Sequence, residues 1–199
     1  MAFDVSKFRS SLINDGARAS LFEVILPFPT GLFTGVGIGA GLNGVTADLS
    51  FKCRAASLPG DTISSINVPY FGREVKVAGS RTFPSWSITV INDETFNVRN
   101  NLELWMSSIN QHVSNLRSAA FNPPIAYQQD ATVIQYGKSG QAVKTYKLVG
   151  CFPTDVAPID LDWASGDTIE EFGVTFEYQW WESPSTLYTG SNLPTTDFG

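Results

Sequence analysis

The chain has 199 residues, of which 43% are hydrophobic and only 16% are charged, and its net charge is -6. This length predicts one domain with a substantial core, and a count of two cysteines excludes a disulfide scaffold. The low charged fraction has two explanations of equal weight. Much of the surface is covered by copies of the same chain, or the surface is simply rich in Ser, Thr and Asn.

Charge is distributed unevenly along the chain. All 13 lysines and arginines lie at or before Lys147 with 10 of the acidic residues, and the other nine acidic residues follow it without a base. The two parts therefore carry +3 (13 minus 10) and -9. This argues against a protein that binds nucleic acid by neutralising phosphates. It allows an acidic surface that repels DNA, or a dipolar subunit whose acidic side meets the basic side of a neighbour.

The first half of the chain reads as strands interrupted by one flexible insert. Residues 1–20 are polar and predict a short helix or an extended arm, and residues 21–26 predict a strand. Residues 27–43 hold two prolines and a glycine-rich run, which predicts a loop. Strands are predicted at 46–54, 62–69, 73–77 and 82–91, and Phe71-Gly72 indicates a hairpin turn. In the last of these strands Trp86, Ile88 and Val90 share one face.

One long helix is predicted after these strands. Asp93 or Asn92 is expected to cap it, because acceptor side chains at that position bind free backbone N–H groups. Apolar residues then recur at spacings of four, three and four, up to an end near His112, and this stripe predicts packing on the sheet. They are Val98, Leu102, Trp105 and Ile109.

The second half returns to strands. Residues 131–135 and 143–151 predict two strands joined by a tight turn, and residues 152–160 predict a loop pinned by Pro153 and Pro158. The final strand, 172–182, alternates strictly, and the residues predicted to share one face are Phe172, Val174, Phe176, Tyr178 and Trp180. The fold class that follows is mainly β, with two packed antiparallel sheets in a β-sandwich or barrel and one flanking α-helix.

Residues of the types used in catalysis are sparse. The single histidine, His112, lies among polar residues at a predicted helix end, so a solvated side chain is the simpler interpretation. Cys53 and Cys151 alternate with apolar neighbours, which is typical of free, buried thiols. The glycines at 35–41 precede neither a helix-forming run nor a Lys-Ser/Thr pair, so no phosphate site is predicted. We expect no enzyme, no catalytic residue, no metal and no cofactor.

Two further segments contain residue types that are used to bind calcium or sugars. Asp155, Asp160 and Asp162 do not match the spacing of a calcium loop, and solvated acids are the simpler interpretation. Trp180 and Trp181 are adjacent, so in a strand their rings point to opposite faces. No apolar segment of signal-peptide or membrane-spanning type is present, so no membrane insertion is expected.

Eight segments, in order and spacing, make the chain similar to the tail tube proteins of contractile-tailed (T-even-type, myovirus) bacteriophages. The similarity covers roughly residues 17–182, with gaps. The segments are 51–60, 73–83, 86–94, the helix with Trp105, Ile134-Gln135-Tyr136, 147–155, Leu161-Asp162-Trp163 and 172–182.

The resemblance implies a structural virion protein, assembled in the host cytoplasm and located in the virion tail. Its hexameric rings would stack into the inner tube, a helical assembly that conducts the genome into the host during contraction. The implied partners are other copies of the chain, the sheath protein, the baseplate and tail terminator proteins, and the tape-measure protein. DNA would pass through the lumen without specific binding. One domain, 1–182, would carry an insert at about 30–45, an extended hairpin at about 56–81 and a flexible tail at 183–199.

The resemblance also implies which residues join subunits. In this family the hairpin reaches the next ring, so its charged residues are the candidate contacts, with two polar residues of the last strand beside them. The candidates are Asp61, Arg73, Glu74, Lys76, Arg81, Glu177 and Gln179.

Two alternatives stay open at this point. The first is the tube protein of a related contractile injection system, which the sequence separates poorly from a phage tube. The second is a monomeric β-sandwich binding module that binds glycans through Trp180, Trp181 and Tyr178. Rings or tubes favour a tube protein of either kind, whereas a strict monomer favours the binding module.

Overall fold

A computed structural model describes residues 5–12, 16–29, 50 and 52–185 of the chain. The predicted insert at about 30–45, most of the predicted strand 46–54 and most of the tail 183–199 lie outside these residues. The described elements, in chain order, are α1 (Val5–Ser11), β1 (Phe22–Ile25), β2 (Cys53–Ala56), β3 (Thr62–Tyr70), β4 (Arg73–Thr82), β5 (Trp86–Ile91), α2 (Asn97–Ile109), a 3-10 turn (Ala119–Phe121), α3 (Pro124–Tyr127), β6 (Gln129–Tyr136), β7 (Ala142–Val156), β8 (Glu171–Glu177) and β9 (Trp180–Glu182).

The fold is mainly β, as predicted, and every described strand pair is antiparallel. Strands follow the order β1-β6-β7-β8-β5-β2, with β9 also paired to β7, while β3 and β4 form a separate two-stranded sheet. The long strand β7 joins two ladders: its first part pairs with β6 and β9, and its last part pairs with β8. It turns between them at Gly150, whose φ of 70° lies in the left-handed region that favours glycine.

The core lies between these ladders and the long helix α2. Strand β5 alternates as predicted, with Trp86, Ile88 and Val90 buried and Ser87 exposed. Helix α2 buries Val98, Leu102 and Trp105 of the predicted stripe, and Ile109 is partly buried against the same cluster. The apolar faces of β5, with a period of two, and of α2, with a period of 3.6, thus pack in one core.

Two buried indoles tie loops to this core. Trp86 donates through Nε1 to the carbonyl of Ser57 at 2.8 Å, and Trp105 donates through Nε1 to the carbonyl of Tyr127 at 2.9 Å. Both side chains are almost fully buried, so each hydrogen bond satisfies a donor that would otherwise be costly to bury.

The predicted loop 152–160 is wrong over its first part, because β7 continues to Val156. Pro153 lies inside the strand, opposite Phe176, and the register shifts between Pro153 and Asp155. Among the described strands this part of β7 pairs with β8 alone, so one of its sides makes no ladder hydrogen bonds. A proline, which lacks an N–H group, is tolerated at such an edge and next to a bulge.

The predicted cap of α2 is also wrong. The helix begins at Asn97, and its N-cap is Phe96 in the left-handed conformation, without a side-chain cap. Asp93 Oδ2 instead accepts hydrogen bonds from Lys52 Nζ at 2.5 Å and from Thr95 Oγ1 at 2.7 Å. The carboxylate that sequence proximity assigned to the helix is therefore bound chiefly by a distant lysine.

The predicted final strand is broken at Tyr178 and Gln179. Phe172, Val174, Phe176 and Tyr178 are buried as expected, but Trp180 is 44% exposed. The N–H of Gln179 donates to the carbonyl of Val149 at 2.9 Å, and β9 then pairs with β7 rather than extending β8. Because of this break Trp180 does not share the buried face of Phe172 and Phe176, so the prediction that it would is wrong.

Candidate assembly surface

The hairpin β3–β4 projects from the main sheet as an arm. Within the described residues its two strands pair only with each other, and nearly all of their residues are exposed. The turn at Phe71-Gly72 has φ of 40° and 82°, which is the pattern of a tight two-residue hairpin turn. The hairpin indicated by Phe71-Gly72 is confirmed, and its strands end at Tyr70 and Thr82, beyond the predicted strand ends at residues 69 and 77.

The base of the arm is fixed to the core. Tyr178 and Trp181 both donate to the carbonyl of Gly60, at 3.4 and 3.2 Å. Burial is the main cause that raises the pKa of Tyr178, so its hydroxyl stays a protonated donor. With Trp86 bound to Ser57, three aromatic donors anchor the segment that leads into β3. The arm is therefore held at one end and free of described contacts along its length.

The arm is amphipathic although both of its faces are exposed. The register pairs Ile66 with Val77, Val68 with Val75 and Tyr70 with Arg73, which places these side chains on one face. The five apolar ones among them are 44–60% exposed: Ile66, Val68, Tyr70, Val75 and Val77. An isolated two-stranded hairpin is marginally stable in water. An apolar face of this kind is typical of a surface that another molecule covers.

The seven predicted contact residues fall into three places. Arg73, Glu74 and Lys76 lie on the outer half of the arm and are exposed. Asp61 and Arg81 lie at its base, where they form an ion pair with 3.3 Å between Oδ2 and NH1. Glu177 ends β8 and Gln179 forms the break before β9, and both are exposed. Their predicted role as contacts between subunits stays a prediction.

The apolar face of the arm does not follow from the strands predicted at 62–69 and 73–77. The apolar face of a predicted strand is normally assigned to the core. The signal that distinguishes an arm is the pairing of two alternating runs across one tight turn with no third strand beside them. That signal depends on topology and is visible only when the strand order is known.

Trp180 and Trp181 do not share a platform for a sugar ring. Trp180 is exposed and donates to Glu182 Oε1 at 2.9 Å, whereas the Trp181 ring packs edge-on against Tyr146 at 5.3 Å. Within the described residues no group of three or more His, Cys, Asp or Glu side chains could hold a metal ion. None of the described helices is long and apolar enough to cross a membrane.

Comparison with known proteins gives consistent matches. The sequence model of the family described as phage tail tube protein matches residues 17–183. The tail tube protein gp19 of Enterobacteria phage T4 is 31% identical over 169 residues, which cover 84% of this chain and 92% of that protein. The tail tube protein of Serratia phage KSP90 is 27% identical over 176 residues, covering 87% and 93% of the two chains.

Solved structures agree at the level of the fold. A chain in the sheath–tube complex of an extracellular contractile injection system (PVC, extended state) has a TM-score of 0.55 and 13% identity, over 92% of this chain and 98% of that chain. A chain of the tube terminating cap of the anti-feeding prophage has a TM-score of 0.58 and 14% identity, over 86% and 92%. At these identities the similarity supports the architecture alone.

Proposed function

The chain belongs to the phage tail tube protein family, and from this premise we propose that its copies close into hexameric rings that stack into the inner tube of a contractile tail. Its role in the virion tail is structural, and the resemblance identified from the sequence is confirmed. The proposal extends this role to ring symmetry, stacking and passage of the genome through the lumen.

The observation that carries the proposal is the arm β3–β4. A free copy leaves the arm's apolar face in water, so covering it by a neighbouring copy contributes a favourable free energy of about 25 cal/mol per Å² of apolar surface. Because the base of the arm is fixed by Tyr178, Trp181 and Trp86, little additional ordering is needed when the arm docks. Arg73, Glu74 and Lys76 at the outer half would set which neighbour is accepted.

The wider assembly is proposed from the family and from the neighbours in fold. Chains of similar fold come from complexes named for a sheath and tube, a tube terminating cap and a baseplate. We expect this chain to contact a sheath protein, a tail terminator and a baseplate, and to enclose the tape-measure protein and then DNA. Net charge of -6 is consistent with a lumen that repels DNA, so that the genome slides without binding. No catalysis is expected in this role.

The domain that would perform this role runs from residue 1 to 182, with the tail 183–199 outside it. The family match, which ends at residue 183, supports this boundary. The hairpin at about 56–81 belongs to the domain as its docking arm.

Electron microscopy of the purified protein, with negative stain and light scattering over a concentration series, tests the proposal. We expect rings and hollow tubes at high concentration. A chain that remains a monomer at every concentration, with and without added tail components, contradicts the proposal and favours the monomeric binding module.

A pair of variants tests the arm. Reversing the charges of Arg73 and Lys76 to Glu is expected to block stacking while leaving the subunit folded, as read by circular dichroism. Replacing Val68 and Val75 with Thr should weaken stacking through the apolar face. Lys138→Glu, in the β6–β7 turn, is the control and should stack normally. Unchanged tubes in both arm variants would contradict the assignment of the arm to inter-ring contact.

A further inference from the structure

A second exposed apolar surface lies far along the chain from the arm, in the loop between β7 and β8. Leu161 is 81% exposed, Trp163 is fully exposed and Ile169 is 68% exposed. These residues line a groove of about 530 Å³ together with Arg54 and Glu171, among others. A concave site of this size is within the range that receives apolar side chains of a partner.

The loop that forms this groove is held at both ends. The Ala157 N–H donates to the carbonyl of Gly173 at 2.8 Å, and Asn92 bonds to Glu170 through both its backbone N–H and its side chain, each at 2.8 Å. Within the loop Asp162 accepts from the N–H of Ala164 at 3.0 Å. The apolar side chains are therefore presented by an organised loop, which favours a docking surface over a solvated connection.

The rim of the groove is acidic. Asp160, Asp162, Glu170 and Glu171 line it, and the one base among the lining residues, Arg54, forms an ion pair with Glu171. Asp167 lies in the same loop. A partner suited to this surface combines an apolar stripe with positive charge and carries no acid.

Helix α1 at the other end of the chain has these properties. Val5 and Phe8 lie on one side of the helix, and Leu12 follows directly after its last residue; the three recur at spacings of three and four and are 68%, 64% and 43% exposed. Lys7 and Arg9 are the only charged residues of the helix, and none of its residues is buried. An apolar stripe on a short basic helix matches an apolar groove with an acidic rim.

We propose that α1 of one copy docks in the 158–171 groove of a second copy. The proposal rests on the proposed function, because a contact between two different surfaces of the same chain is the kind that closes rings or propagates along a stack. It also assigns a place to the charge asymmetry of the chain, since α1 lies in the part that carries +3 and the groove in the part that carries -9. Phe8 contributes the apolar anchor and Trp163 the apolar surface that receives it.

Chemical cross-linking between two differently tagged proteins tests the docking. One protein carries Ser11→Cys, on the helix face next to Phe8, and the other carries Ser165→Cys, in the groove. A short bis-maleimide should join the two into a heterodimer, seen by mass on a denaturing gel. Burial raises the pKa of the native Cys53 to about 11 and of Cys151 to about 12, so these thiols react slowly. Val113→Cys, at a fully exposed position outside the groove, replaces Ser165→Cys in the control.

Substitutions in the two tagged proteins separate the apolar and the electrostatic contributions to docking. Phe8→Ser in the helix protein, or Trp163→Ser in the groove protein, should lower the yield of heterodimer about tenfold, which corresponds to about 1.4 kcal/mol. Lys7→Glu with Arg9→Glu should lower it similarly, and Asp160→Lys with Asp167→Lys in the groove protein should restore it. Restoration by the reversed pair would not arise from misfolding of either protein.

The outcomes separate this inference from the proposed function. Rings or tubes without a specific heterodimer overturn the docking, leave the tube role intact and assign the groove to another protein such as a sheath. A heterodimer that forms equally with the Val113→Cys control also overturns it. A specific heterodimer without rings or tubes supports the docking and contradicts the tube role. A protein that neither assembles nor cross-links contradicts both.

Discussion

At the residue scale, the two tryptophans Trp105 and Trp163 lie in opposite environments. Trp105 is fully buried and hydrogen-bonded to the carbonyl of Tyr127, whereas the side chain of Trp163 is fully exposed. Chemistry alone therefore does not assign a role to a tryptophan here. The environment does, because removing a buried ring leaves a cavity and removing an exposed one leaves only water.

Alanine at Trp105 is expected to lower the free energy of unfolding by about 3–5 kcal/mol, since the transfer energy, a cavity and the hydrogen bond to Tyr127 are all involved. Alanine at Trp163 is the matched control and should change it by less than about 0.5 kcal/mol. Urea unfolding followed by circular dichroism measures both. Equal losses for the two variants would mean that the burial of Trp105 does not govern stability.

The two thiols are expected to be unreactive in the folded protein. Burial raises the pKa of Cys53 to about 11 and of Cys151 to about 12, so at pH 8 both thiols are almost entirely protonated. Alkylation with iodoacetamide, followed by mass spectrometry, should be slow in buffer and complete in guanidinium chloride. Ser165→Cys provides a third, exposed thiol as an internal standard. Labelling of the native thiols as fast as this standard would contradict the raised pKa values of Cys53, which is half-buried, and Cys151, which is buried.

At the scale of elements, the segment before α2 is stabilised by a contact between distant parts of the chain. The pKa of Asp93 is lowered chiefly by its hydrogen bond with Lys52, then by Thr95. A carboxyl whose folded pKa is lowered stabilises the fold above its unfolded value of about 3.9, and this contribution is lost as the pH falls through the folded pKa. The link between β2 and the start of α2 is therefore a feature of neutral pH.

Replacing Asp93 with Asn is expected to destabilise the protein at pH 7. The effect should diminish as the pH falls below the unfolded pKa of about 3.9 and vanish below the lowered folded pKa, where the wild-type carboxyl is protonated in both states. Glu94→Gln is the control, since Glu94 is exposed in the same turn. Thermal unfolding between pH 3 and pH 7 measures the difference. A loss of stability from Asp93→Asn that is constant over this range would rule out the charge of Asp93 as its cause.

The turn of the arm is locally unfavourable, which suggests that its sequence serves assembly. Phe71 has a positive φ of 40° and is 92% exposed, although asparagine before Gly72 suits this turn better. Phe71→Asn should raise the stability of the monomer by up to about 1 kcal/mol and weaken tube formation. Thermal unfolding and sedimentation measure the two effects separately. If assembly is unchanged while stability rises, Phe71 takes no part in docking.

At the scale of the whole molecule, the contacts of Ser183 predict that the folded unit extends slightly beyond the boundary proposed at residue 182. Ser183 is 3% exposed and hydrogen-bonds with Ser185, whose Oγ also accepts from Lys144. A chain that ends at residue 185 should unfold at the same temperature as the full chain. One that ends at residue 182 should unfold a few degrees lower, because it exposes the surface that Ser183 covers. Differential scanning calorimetry distinguishes them, and equal midpoints would restore the boundary at 182.

Much of the architecture could be predicted from the sequence by itself. Alternation predicted β5 and the buried face of β8, and the spacing of Val98, Leu102 and Trp105 predicted the buried face of α2. These features depend on local periodicity, which the chain carries in its order of residues. The Phe71-Gly72 pair predicted the hairpin turn. The eight segments that match the family in order and spacing also predicted the structural role.

Tertiary structure decided what depends on partners far apart in the chain. Lys52 took Asp93 from its expected capping role, the edge position of β7 allowed Pro153 inside a strand, and the pairing of β9 with β7 turned Trp180 outward. The exposure of the arm's apolar face follows from the absence of a third described strand beside β3 and β4. Each outcome depends on which groups are close enough to form a hydrogen bond or to cover an apolar surface. Those groups are distant in the sequence and become neighbours only in the folded chain.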